Sequence, residues 1–147
     1  MQAKNVLKSL WFGMLLLTPL FTGAEEETAL PITVEEAWVR AMPPTMRMTA
    51  AYLKIQNNGD MALKLMGAAS PRFGLVEIHQ SFEKDGVARM RELEAVEIAP
   101  GASVALEPGG KHIMLMKLQG KLSRGDKVAL ELHFEGGAVH QLEALVK

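Results

Sequence analysis

Four side chains in this sequence have the types and spacing to hold a soft metal ion: His79, Met90, His112 and Met114. In the stretch Leu75 to Phe82, a period of two puts Val76 and Ile78 on one strand face and Glu77, His79 and Ser81 on the other. Asp85-Gly86 then reads as a tight hairpin turn, and the returning strand brings Met90 back alongside His79. In the second stretch, Lys111 to Met116, His112, Met114 and Met116 share one face while Ile113 and Leu115 take the other. Donors at i and i+2 on one strand face lie about 6.5 to 7 Å apart at Cα, within reach of a shared ion for side chains of this length. Two imidazoles and two thioethers make a soft, uncharged ligand set. Such a set suits Cu(I) rather than a hard cation, and with no carboxylate in it the charge of the ion stays largely unneutralised.

The elements that must position these residues are strands. No segment of a dozen residues keeps a clean period of 3.6, whereas short apolar runs alternate with turns. Strands are predicted at 32–39, 49–56, 62–68, 75–82, 88–94, 103–106, 112–118, 127–134 and 138–146. The punctuation between them is Pro43-Pro44, Asn57-Asn58-Gly59-Asp60, Asp85-Gly86, Pro100-Gly101, Pro108-Gly109-Gly110, Gly125-Asp126 and Gly136-Gly137. This pattern predicts an all-β fold, a two-sheet sandwich or flattened Greek-key barrel in one domain. Trp38 and Tyr52 are expected to anchor its core or, as aromatics near the site, to shield it from water; Met61 and Met66 are expected in the core, and Arg40 as a surface or structural ion-pair residue or in partner recognition.

Lys4 and Lys8 precede an apolar run from Leu10 to Leu20, followed by the small residues of Thr22-Gly23-Ala24. Residues 1–24 therefore read as a signal peptide cleaved near Ala24, with residues 25–147 as the exported domain. The formal net charge is −1 with no basic block beyond that leader, which argues against nucleic acid as a partner and against stable insertion into a membrane. The ten methionines stand out against a complete absence of cysteine, so stability must come from packing and no thiolate is available to a metal. A blue-copper electron carrier needs that thiolate. A zinc hydrolase needs three nitrogen or oxygen ligands and a base, and no such set stands out, so an enzyme is not expected.

Secondary candidates surround the main set. Met42, Met46 and Met48 flank Pro43-Pro44 and would offer copper a transient thioether landing point, or fill gaps beneath a loop. Met116 is either a spare donor or a packing residue beside the site. His133 and His140 have no second donor at strand spacing and read as surface or satisfied histidines.

The order His79, ten residues, Met90, twenty-one residues, His112, one residue, Met114 resembles the periplasmic copper chaperone family PCuAC. Gly109-Gly110-Lys111-His112-Ile113-Met114-Leu115-Met116 is similar to its most recognisable stretch, and the likeness extends to Ala37-Trp38-Val39-Arg40 and Ala50-Ala51-Tyr52-Leu53. The resemblance implies a cupredoxin-like fold, Cu(I) bound by His79, Met90, His112 and Met114, and a periplasmic location. It further implies delivery of the metal by a monomer to the copper-bearing subunit of cytochrome c oxidase or to its assembly factors. Where the family often has methionine directly after the first histidine, this chain has Gln80. The competing expectation is a metal-free, exported, immunoglobulin-like binding or assembly module.

Overall fold

The computed structural model describes residues 29–147, so the expected signal peptide and its cleavage site lie outside the described residues. Ten strands follow in order: β1 (Ile32–Val39), β2 (Thr49–Asn57), β3 (Leu63–Ala69), β4 (Phe73–Lys84), β5 (Val87–Glu92), β6 (Val96–Ile98), β7 (Ser103–Leu106), β8 (Lys111–Leu118), β9 (Lys127–Phe134) and β10 (Val139–Val146). Nine match the expected positions closely. The tenth, β6, is short and separate: the strand expected to run to Glu94 stops at Glu92, and Val96 and Ile98 turn inward to pair with β3. Asp85 and Gly86 both have positive φ, 56° and 74°, and close a two-residue hairpin in which Lys84 pairs with Val87. This backbone sense matches the right-handed twist of the flanking strands.

The strands form one hydrogen-bonded array in the order β5-β4-β8-β2-β1-β10-β9-β3-β6, with β7 pairing the second half of β2. Hydrogen bonding is continuous rather than split between two sheets, and β3 packs against β4 across the fold, which makes an open, flattened barrel. Its interior takes side chains from every strand but β5, including Val39, Leu53, Ile55, Leu65, Ile78, Ile113, Leu115, Val128, Leu132 and Val146. In β8 the alternation is plain: Ile113 and Leu115 belong to this core, while His112, Met114 and Met116 face the other side.

β1 does not keep its alternation. Ile32 and Val34 pack toward the core, but the register shifts between Glu35 and Trp38, where Glu36 adopts a positive φ of 53°. This is a β-bulge, and one extra residue exchanges the faces of everything after it. Ala37 and Val39 therefore turn inward, and Trp38 comes out onto the face that carries His112. The core position expected for Trp38 is thereby corrected, whereas its partner Tyr52 is buried as expected, with its ring on the opposite side of β2 from Leu53 and Ile55. Met61 and Met66 are not core residues, being 74% and 46% exposed.

A buried polar anchor closes the far end of β2. The fully buried Asn57 donates from Nδ2 to the carbonyls of Met61 (2.8 Å), Ile98 (3.1 Å) and Ala99 (3.3 Å) and accepts from the Gly59 N–H at 2.9 Å. An Asn57→Ala substitution strands these groups, so unfolding free energy should fall by about 1–3 kcal/mol in a denaturant titration. An unchanged midpoint would mean that water replaces the amide without loss.

Candidate metal centre

The site is built on the outer face of the β5-β4-β8-β2-β1 half of the array. β4 and β8 are antiparallel, and their register sets His79 directly opposite His112 and Glu77 directly opposite Met114. Across the next seam Ala50 of β2 faces Met114, and Tyr52 of β2 faces Trp38 of β1. On the other side Met90 of β5 lies opposite Ser81, one diagonal step along the same face from His79. His79, Met90, His112 and Met114 are thus brought to one patch by two hydrogen-bonded seams. They differ in exposure: His112 is 5% exposed, His79 and Met114 are half-buried, and Met90 is 55% exposed.

The two imidazoles have ring centres 6.0 Å apart, tilted by 56°. Two imidazoles bound about 2.0 Å from one ion would have ring centres about 5 to 6 Å apart. Each ring also has one nitrogen held by a group that only accepts hydrogen bonds. His79 Nε2 donates to Glu77 Oε2 at 2.8 Å, and His112 Nδ1 donates to the Gly110 carbonyl at 3.1 Å. In the neutral rings the protons are therefore on those nitrogens, and the lone pairs remain on His79 Nδ1 and His112 Nε2. His79 Nδ1 is buried and has no hydrogen-bond partner. A buried, unpaired acceptor costs about 1–3 kcal/mol, a cost that an ion placed there would relieve.

Neighbouring groups limit the chemistry available. Among the described residues no three His, Asp or Glu side chains gather as a metal site, so an ion at this patch would draw on thioether sulfur. That selects a soft ion over zinc or calcium. Tyr52 stacks on Trp38 (ring centres 4.6 Å apart) and lies 6.5 Å from the His112 ring. Burial holds its hydroxyl above the ordinary phenol range, an effect that the Arg40 guanidinium opposes from 5.4 Å over the ring. Tyr52 is therefore neutral near pH 7 and supplies no phenolate.

A cavity of about 440 Å³ opens in front of this face. Met90, His112 and Met114 line it from the sheet, and Met42, Met46 and Met48 from the loop between β1 and β2. His79 forms no part of that wall. Met116, opposite Leu75, is also outside it, as befits a packing residue beside the patch. His133 is on the surface, paired with Glu131 at 3.2 Å.

Residues 32–146 match the family model LpqE-like, a stretch that spans all ten strands. The chain belongs to this family, the PCuAC domains. Among curated relatives of this PCuAC chain, Lxx21020 of Leifsonia xyli subsp. xyli is 33% identical over 117 residues, covering 79% of this chain and 69% of the relative. Among solved structures, CuI-DR1885 from Deinococcus radiodurans is 35% identical, covers 86% of this chain and 83% of its own, and superposes with a TM-score of 0.66. The copper-bound PCuAC domain from PmoF2 gives the same TM-score at 23% identity, over 80% of this chain and 92% of its own, a likeness of fold. The all-β, cupredoxin-like expectation agrees with these neighbours.

Sequence reasoning passed over Glu77 as a site residue, while Arg40 is exposed, as its surface reading expects. Arg40 stacks over Tyr52 and lines the cavity, and among the described residues it makes no ion pair. Glu77 was legible in principle, because a carboxylate two residues before a strand histidine shares its face. Its role in this PCuAC domain is to fix the His79 tautomer, which yields a sharp expectation. Glu77→Leu should weaken Cu(I) binding about 10- to 100-fold in an anaerobic chelator competition. Glu77→Gln, whose carboxamide oxygen accepts the same bond, should stay near the parent. Equal losses in both would assign the effect to charge instead.

Proposed function

We propose that this protein is an exported Cu(I) chaperone that holds one ion through His79 Nδ1, His112 Nε2 and the thioethers of Met90 and Met114. The observation that carries the reading is the pair of opposed imidazoles whose protons are committed elsewhere, one of them with a buried, unsatisfied nitrogen. The copper-bearing structure CuI-DR1885, 35% identical to this chain, supports it. Thioethers on two strands, one of them exposed, suit exchange of the ion with a partner without covalent chemistry, and the protein acts as a carrier rather than an enzyme. The family and its Leifsonia relative have lipoprotein in their names, which supports an exported, periplasmic location. The family resemblance points to the copper-bearing subunit of cytochrome c oxidase, or one of its assembly factors, as the recipient, with the chaperone monomeric.

The test is an anaerobic Cu(I) titration of the exported domain against a chromophoric chelator, followed by X-ray absorption. One tightly held ion with mixed nitrogen and sulfur neighbours is expected, and its transfer to an isolated copper-free oxidase domain follows on mixing. Failure to compete with the chelator would return the chain to a metal-free binding module. Tight binding without transfer would remove only the oxidase as recipient.

A further inference from the structure

The loop that faces the patch is itself rich in sulfur and firmly held. Between β1 and β2, Met42, Met46 and Met48 line the same cavity as Met90 and Met114. At its start the Arg40 N–H donates to the Ala50 carbonyl (2.9 Å) and the Ala41 N–H to the Lys147 carbonyl (2.8 Å). At its end Thr49 Oγ1 donates to the Arg40 carbonyl (2.6 Å), and the Leu118 N–H donates to the Arg47 carbonyl (3.1 Å) while the Arg47 side chain donates to the Leu118 carbonyl. Between these anchors Pro43 and Pro44 fix two φ angles, and the Met46 N–H closes a turn on the Pro43 carbonyl at 3.0 Å.

Methionines that serve packing are expected to be buried, because only burial removes their apolar surface from water. Met46 and Met48 are instead 46% and 45% exposed, and only Met42 touches the edge of the core. The cavity wall contains no carboxylate and one cation, Arg40. A hard cation finds no partner there, and a soft monovalent ion finds uncharged sulfur.

We propose that Met42, Met46 and Met48 form a second, weaker Cu(I) site of thioethers alone on the loop side of this cavity. The inference rests on the copper reading given above. The absence of imidazole and the nearby guanidinium make this site the weaker of the two. Exchange between the sites replaces neutral imidazole and thioether donors by neutral thioethers, so copper remains Cu(I) and no electron is transferred.

The experiment follows the methionine methyl signals of the 13C-labelled protein by NMR during anaerobic addition of Cu(I) alone, in the parent and in a Met42→Leu/Met46→Leu/Met48→Leu variant. Leucine keeps the volume and removes the sulfur. The first equivalent should shift Met90 and Met114, and the second should shift Met42, Met46 and Met48. The variant should retain the first equivalent and lose the second, with the distant Met61 and Met66 signals unchanged as a check on folding. Loop signals that stay still through the second equivalent, with the first bound normally, would overturn this site alone. Loop signals that move together with Met90 and Met114 in the first equivalent would overturn it too, by making one site of both. No shift anywhere would sink the copper reading itself. Should the variant unfold, the parent titration decides between these outcomes.

Discussion

Replacing His112 by Gln should lower the affinity for Cu(I) by more than about 100-fold, since loss of an outer partner to a metal ligand already costs about 10- to 100-fold. The change removes an imidazole and little else. His112 is buried, yet it lies outside the hydrophobic core, and a Gln amide can replace the bond to the Gly110 carbonyl. That bond contributes about 0.5–1.5 kcal/mol, which bounds the loss of stability. Met114→Leu should act in the same direction at nearly constant volume, removing one sulfur neighbour from the absorption spectrum where His112→Gln removes one nitrogen. Met116→Leu is the control, since Met116 shares the strand face but stands outside the cavity wall. Chelator competition within a few-fold of the parent for both His112→Gln and Met114→Leu would reject the proposed ligand set.

The convergence of His79 with Met90, and of His112 with Met114, is readable because each pair depends on local rules. A strand alternates with period two, and Asp85-Gly86 permits a single tight turn. The seam between the two pairs is not local. Nothing in the stretch around His79 states that Ile78 pairs with Ile113 and therefore His79 with His112; the core chooses that register by burying both isoleucines. Trp38 was misplaced for a related reason. Alternation from Ile32 and Val34 leads inward to Trp38, and the bulge that reverses it falls at Glu36, where no glycine, asparagine or proline advertises a left-handed residue. Met66 is a different case, since plain alternation from Leu63 and the fully buried Leu65 already turns it outward beside Lys64. Bulges and registers belong to tertiary packing, so composition and periodicity have no purchase on them.

One residue away from His112, the opposite outcome is expected. Ile113 is fully buried between Ala51 of β2 and Ile78 of β4, and Ile113→Ala should destabilise the fold by about 2–5 kcal/mol through lost contacts and the cavity left behind. At about 4 °C per kcal/mol, Tm should fall by roughly 8–20 °C in calorimetry. Below that transition Cu(I) affinity should stay within a few-fold of the parent, because Ile113 points away from the patch that its neighbours His112 and Met114 build. Linkage makes the separation measurable. An ion that binds only the folded chain stabilises it by an amount set by its concentration relative to Kd, about 2.7 kcal/mol at one hundred times Kd. Saturating Cu(I) should therefore add the same increment of stability to Ile113→Ala as to the parent, and far less to His112→Gln. A smaller increment in Ile113→Ala would show that core packing on one face of β8 holds the ligand geometry on the other, so that strand alternation separates the two roles in sequence but not in energy.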